Sequence, residues 1–187
     1  MKRNITGRML AAAIGAGLAA YALVAFATLK PGDRAPAFVA QASLGGNVYQ
    51  YSLADALKKG PVVLYFFPAA YSEGCSVEAH YFAEAIPQFQ ALGATVIGVS
   101  GDDIQTLAKF SVQECQNKFA VGSDDTKKIM ASYDAVMPSY PDFANRVSYL
   151  IAPDGKIVYQ YKSLNPYAHV NKVLGALQEW SKGQAAK

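Results

Sequence analysis

Pro61 to Phe67 reads Pro-Val-Val-Leu-Tyr-Phe-Phe, and Pro68 follows it. An unbroken β-branched, aromatic and aliphatic run of this length is expected of a strand covered on both faces, and a proline cannot extend a central ladder. The strand therefore stops at Pro68. Beyond it comes Ala-Ala-Tyr-Ser-Glu-Gly-Cys, in which Ser72 is suited to cap a helix carrying Cys75 in its first turn. Unpaired backbone N–H groups and the positive end of the helix dipole favour an anion at such a place. A thiolate suits it.

The rest of the chain must supply a fold around that join. With 187 residues, 52% of them hydrophobic, it is long enough for one full core and too short to argue for two. Lys2, Arg3 and Arg8 precede an uncharged run from Met9 to Leu29 that contains the small-x-small pattern Ala25-Phe26-Ala27. This predicts a secretory signal peptide over residues 1–27, with a retained membrane anchor as the competing reading. The domain then occupies residues 28–187. Export to the periplasm follows from the first reading, and a domain anchored on the outer side of the inner membrane from the second. The whole chain has 17 basic and 14 acidic residues, and loss of the leader with its three basic side chains leaves the two balanced. No nucleic-acid or anionic-membrane surface is implied. An oxidising compartment would let two cysteines form a structural disulfide or a redox pair.

Along the domain, Gly45-Gly46 predicts a turn, Val48 to Tyr51 a strand, and Ser52 to Lys59 a short helix. Pro87 is expected to end or kink the helix that begins near Cys75. Ala94 to Ser100 reads as a second buried strand. Asp102 or Asp103 can cap a helix to about Gln116, with Ile104, Leu107, Ala108, Ser111 and Cys115 on one face. A short strand over Phe119 to Val121, a helix from Asp125 or Thr126 to Tyr133 and a loop over Ala135 to Asn145 come next. Arg146 to Ile151 and Ile157 to Tyr161 form a hairpin around Pro153-Asp154-Gly155-Lys156, and Asn165-Pro166 opens a last helix with Val170, Val173, Leu174 and Leu177 inward. Strands alternating with helices predict an α/β fold, a mixed sheet flanked by helices on both faces, compatible with a thioredoxin-like architecture.

Pro68, Ser72 and Cys75 in the pattern Pro-x-x-x-Ser-x-x-Cys, with Arg146 entering a later strand, resemble the peroxiredoxins. The likeness is greatest to the Q-type (bacterioferritin-comigratory-like) branch of the alkyl hydroperoxide reductase and thiol-specific antioxidant family. It extends from Gly32-Asp33-x-Ala35-Pro36-x-Phe38 through Gly74-Cys75-Ser76-x-Glu78-Ala79 and Val99-Ser100 to Arg146-x-Ser148-x-Leu150-Ile151 and Asp154-Gly155-Lys156. The resemblance implies a thiol peroxidase whose peroxidatic site is Cys75, Arg146, Ser72 and Pro68. Five residues after Cys75, where many relatives carry a resolving cysteine, this chain has His80, a surface or packing residue. An intramolecular resolving task then falls to Cys115, which is displaced by about one helical turn from the corresponding helical position in some relatives.

The chemistry stands beside the resemblance. A free thiol with a pKa of ~8.5 is only a few per cent thiolate at neutral pH, so a reactive cysteine needs a helix start, a cation, or both. Arg146 is the candidate cation, because guanidinium stays charged and its fork can also donate to a peroxide oxygen. Ser72 would offer its hydroxyl to the thiolate and the peroxide, and Pro68 would shape the pocket and exclude water. Each residue alone has a plainer reading: Cys75 a buried structural thiol, Arg146 an ordinary solvated or ion-paired side chain, Ser72 a cap, Pro68 a strand terminator. Glu78 can position Arg146 or simply occupy a helix surface. Cys115 reads equally as a small core residue.

The function expected is reduction of hydrogen peroxide or small organic hydroperoxides, with an external thioredoxin-like or glutaredoxin-like thiol as reductant. The alternative is an exported non-enzymatic domain with a structural Cys75–Cys115 disulfide. No Cys-x-x-Cys, metal-ligand spacing or glycine-rich phosphate loop is present, so no cofactor or metal is indicated. Membrane contact is expected only if the leader is retained, and the domain itself is expected to be a monomer or weak dimer.

Overall fold

A computed structural model describes residues 29–185, so the leader lies outside the described residues. The chain enters through a turn in which Gly32 N–H donates to the Ile157 carbonyl and Ala35 N–H to that of Gly155. β1 (Val39–Leu44) and β2 (Asn47–Ser52) form a hairpin through Gly45 and Gly46, both at positive φ. Ser52 then caps α1 (Leu53–Leu57), its Oγ accepting from Asp55 N–H at 3.2 Å.

β3 (Val62–Phe66) is buried along its whole length. It pairs in parallel with β4 (Thr95–Ser100) and antiparallel with β8 (Val147–Ile151). With β5 (Ala120–Ser123) beside β4 and β9 (Ile157–Lys162) beside β8, the seven-stranded sheet has the order β2-β1-β5-β4-β3-β8-β9. The alternation along β3 divides the core in two. Val63, Tyr65 and Phe67 face one cluster with Phe82 and Phe89 of α2 (Glu73–Ala91), Leu107 and Phe110 of α3 (Ile104–Gln113), and Val173 and Leu177 of α5 (His169–Ala185). Val62, Leu64 and Phe66 face the other, with Leu53 of α1 and Met130 of α4 (Lys128–Ser132). Helices on both faces of a mixed sheet are the thioredoxin-like layers expected from the sequence.

Several boundaries differ from the sequence reading. α2 runs through Pro87 to Ala91. The apolar stripe of Phe82, Ala83, Ile86 and Phe89 continues past the proline, and its burial outweighs one missing backbone bond. α3 stops at Gln113 rather than Gln116, because Gln116 and Asn117 both take left-handed φ values (53° and 59°). α4 begins only at Lys128, where both carboxylate oxygens of Asp124 accept from Ile129 and Met130 N–H at 3.1 and 2.7 Å. The loop over 135–145 contains a small hairpin of β6 (Val136–Met137) and β7 (Tyr140–Ala144). Asn165-Pro166 opens a turn, with Asn165 Oδ1 accepting from Tyr167 N–H, and α5 starts three residues after Pro166 at His169.

Candidate active site

The end of β3 and the start of α2 are joined by a short, tied-down loop. Phe67 N–H still donates to the Val99 carbonyl, and Pro68 then turns the chain off the sheet. Asp102, just beyond β4, accepts from Ala70 N–H at 2.8 Å and from Ser100 Oγ at 2.7 Å. Its own carbonyl takes the hydroxyl of Ser123 at 2.6 Å. The ends of β4 and β5 thus fix the loop before Cys75. Tyr71 holds a left-handed φ of 63°, with its phenol donating to Gln113 at 2.8 Å and its ring edge-on to Phe110.

Cys75 is the third residue of α2, and its N–H donates to the Ser72 carbonyl at 2.9 Å. Its side chain is 1% exposed. Arg146, immediately before β8, brings Nη2 to 3.4 Å from Cys75 Sγ while Nη1 donates to Glu78 Oε2. Register explains the meeting: β8 lies antiparallel beside β3, so the residue entering β8 stands at the end of β3 from which α2 departs. Gly74 permits the approach, since a Cβ there would lie 3.2 Å from Arg146 Nη2.

Burial disfavours the guanidinium charge, but Glu78 and Cys75 outweigh it and hold the Arg146 pKa above its usual value. The reverse holds for the carboxyl. Burial pushes Glu78 up to about 8 against the pull of Arg146. One cation therefore serves two potential anions, and desolvation opposes ionisation of the second.

Ser72 occupies the N-cap position of α2, but its side chain makes no cap bond; the hydroxyl donates back to the Ala69 carbonyl at 3.1 Å, not to the thiol. His80 is half-exposed on α2 and pairs with Glu114 at 3.0 Å. Cys115 does not lie in a helix as expected: it follows the end of α3, fully buried, its N–H bonded to the Phe110 carbonyl. Burial, with Glu114 adding to it, pushes its thiol pKa up. Both cysteines are free in this structure. They share one apolar cluster with Tyr65, whose ring stacks on Phe82 at 4.3 Å and crosses Gly98 where no Cβ would fit.

Sequence reasoning missed Asp102 as a tether of the loop and the buried pair Ser148 and His169 behind Glu78. The Arg-x-Ser spacing was the available signal for Ser148, because residues two apart on a strand share a face. For His169 only its place next to the core stripe of α5 was available.

The comparisons with known proteins decide the family. Residues 31–160 match the AhpC/TSA family. The chain belongs to it. A chain named as a putative peroxiredoxin of Mycobacterium tuberculosis (strain CDC 1551 / Oshkosh) is 32% identical over 151 residues, covering 78% of this chain and 92% of that one. Peroxiredoxin Q of Gentiana triflora chloroplasts is 30% identical over 154 residues, with 82% and 69% covered. Among solved structures, the crystal structure of the peroxidoxin BcpB from Mycobacterium tuberculosis aligns with a TM-score of 0.74 at 27% identity, over 81% of this chain and 97% of that one. This peroxiredoxin is accordingly a thiol peroxidase on a thioredoxin fold.

Proposed function

We propose that Cys75 is the peroxidatic thiol, and the observation that carries the assignment is Arg146 Nη2 at 3.4 Å from its sulfur in the first turn of α2. The thiolate attacks the nearer oxygen of hydrogen peroxide or a small organic hydroperoxide. The S–O bond forms as the O–O bond breaks, and the departing oxygen takes a proton to leave as water or alcohol. Arg146 stabilises the charge moving onto that oxygen. Pro68, which ends the ladder at the loop leading to Cys75, is assigned the shaping of the approach to the thiol. Ser72 takes part once its hydroxyl leaves the Ala69 carbonyl. The sulfenic acid on Cys75 is the product of this half-reaction.

For the second half we propose that Cys115 condenses with the sulfenic acid, releasing water, and that an external thioredoxin-like or glutaredoxin-like dithiol reduces the disulfide. The shared apolar cluster supports this pairing. The burial of Cys115 favours a second reading, in which the external thiol attacks Cys75 directly. Peptide mapping after one equivalent of peroxide distinguishes them. A Cys75–Cys115 disulfide, lost in Cys115→Ser together with dithiol-dependent turnover, supports resolution by Cys115; a lasting sulfenic acid and undiminished turnover in Cys115→Ser support the one-cysteine cycle. Cys75→Ser should abolish peroxide consumption under either reading, and retention of turnover by that variant sinks the assignment.

Location and assembly belong to the same proposal. The basic residues and uncharged run of the leader support export to the periplasm with cleavage after Ala27, or retention as an inner-membrane anchor with the domain outside the cytoplasm. Among the described residues no helix is long and apolar enough to cross a membrane. The domain is proposed to act as a monomer or weak dimer.

A further inference from the structure

Behind the Arg146–Glu78 pair lies a second buried layer of polar groups. His169, the first residue of α5, is fully buried, with Nε2 at 2.8 Å from the Ser163 carbonyl and Nδ1 at 2.8 Å from Ser148 Oγ. A carbonyl can only accept, so Nε2 carries the hydrogen, Nδ1 offers its lone pair and the Ser148 hydroxyl donates to it. The tautomer is thereby fixed from both sides. Tyr161 of β9 meets the ring edge-on with centroids 4.8 Å apart, which leaves the imidazole little freedom to turn.

The charged neighbours of this ring are Glu78 from α2 and, beyond it, Arg146 at the head of β8. Glu78 Oε1 stands 3.7 Å from His169 Nδ1 and has no hydrogen-bond partner, whereas Oε2 takes the guanidinium. The carboxyl is therefore held by Arg146 on one side and faces the occupied Nδ1 of the locked ring on the other. With that lone pair committed to Ser148, the ring offers Oε1 no hydrogen-bond donor, so an ionised oxygen there lacks compensation. The residue at position 169 thus stands where it can bear on the orientation of Glu78, and Glu78 shares the guanidinium that presents Nη2 to Cys75.

We propose that His169, locked by Ser148 and the Ser163 carbonyl, is a positioning residue for the Arg146–Glu78 pair and so for the reactivity of the Cys75 thiol. The inference rests on Cys75 and Arg146 being the reacting pair. Its action is indirect: His169 touches neither the sulfur nor the peroxide. It joins α5 to the site, so the last helix of the domain helps set the chemistry at the start of α2.

The test uses the reduced full chain in a Cys115→Ser background, where Cys75 alone reports. The pH profile of iodoacetamide alkylation and the second-order rate of oxidation by hydrogen peroxide are measured for His169→Leu, Ser148→Ala and, as reference, Arg146→Met. Circular dichroism and thermal melting identify which variants fold. His169→Leu is expected to move the alkylation profile by about one pH unit and slow oxidation about tenfold, and Ser148→Ala to do the same to a smaller extent. A merely structural role would lower the melting temperature without moving the profile. If His169→Leu does not fold, Ser148→Ala and His169→Gln carry the comparison. Folded His169 and Ser148 variants with an unchanged profile, beside an Arg146→Met that shifts it, overturn the positioning role alone. An unshifted Arg146→Met instead removes the reacting pair on which the inference stands.

Discussion

Replacing Arg146 by methionine removes the cation from Cys75 while keeping most of the side chain's bulk. At an effective dielectric of about 20, unit charges separated by the observed 3.4 Å attract by roughly 5 kcal/mol. The guanidinium spreads its charge over three nitrogens and Glu78 competes for it, so a realised difference of about 2 kcal/mol is expected, or about 1.5 pH units in the alkylation profile of Cys75. The profile should move to higher pH. Loss of a preorganised donor to the developing oxygen charge should lower the peroxide rate further, by about 10²–10³. Arg146→Met also leaves Glu78 buried without its partner, and breaking a buried pair costs about 3–5 kcal/mol. Because burial already raises the carboxyl to about 8, protonation relieves part of that loss. The double variant Arg146→Met/Glu78→Gln separates the two effects: stability should recover and the peroxide rate should not. A stopped-flow rate that recovers with stability, or an alkylation profile that does not move, would refute the electrostatic role assigned to Arg146.

Two further predictions concern pH and the leader. His169 is held neutral, lowered from 6.5 to about 4 chiefly by burial, so its contribution to stability is present above pH 6.5 and is lost as pH falls toward 4, by an amount on the order of 2–3 kcal/mol. Glu78 has the opposite sign, its raised pKa favouring the fold below 4.5 and less as pH rises through 8, so the two partly cancel between 4.5 and 6.5. Urea unfolding of the parent chain and His169→Gln at pH 7 and 4.5 isolates the histidine: the parent's advantage should shrink at the lower pH, and a constant gap would be inconsistent with a buried neutral imidazole. For the leader, mature protein from the exported soluble fraction should begin at Thr28, and recovery of full-length chain only in washed membranes would favour the anchor.

The elements most legible in the sequence were those in which one local rule dominates. The apolar run from Val62, the Asp103 cap, whose Oδ1 accepts from Thr106 N–H at 2.8 Å, and the inward stripe of Val170, Val173 and Leu177 all stand as expected. Local rules failed where tertiary contact overrode them. Pro87 did not stop α2 because the helix remains packed beyond it, and Cys115 left its helix because the left-handed pair Gln116-Asn117 ended α3 early. The site divides the same way. Pro68, Ser72 and Cys75 are close in sequence and were readable as a motif, and Arg146 was readable through resemblance. Ser148 and His169 reach the site only through strand register and the docking of α5, which periodicity does not encode.

If Cys115 resolves the sulfenic acid, the two sides of that step are held differently. The first turn of α2 lacks a side-chain cap, a deficit of about 1 kcal/mol, and is held by the Ser72 carbonyl, the Asp102 tether and the contact of Arg146 Nη2 with the Cys75 sulfur. On the proposed cycle, oxidation of the Cys75 thiolate to the neutral sulfenic acid weakens the last of these and leaves Arg146 to Glu78. The helix start is therefore easier to open once it has reacted. Cys115 gains nothing comparable, because its surroundings are apolar and do not change charge when Cys75 is oxidised. Its segment is held by Phe110 in the core, by the Tyr71–Gln113 hydrogen bond and by the His80–Glu114 pair. Disulfide formation requires the two Cα atoms to come within about 7 Å. On the resolving reading, release of the turn after α3 sets the rate of that step, and His80, standing where many relatives carry the resolving thiol, is one of the groups that hold it shut.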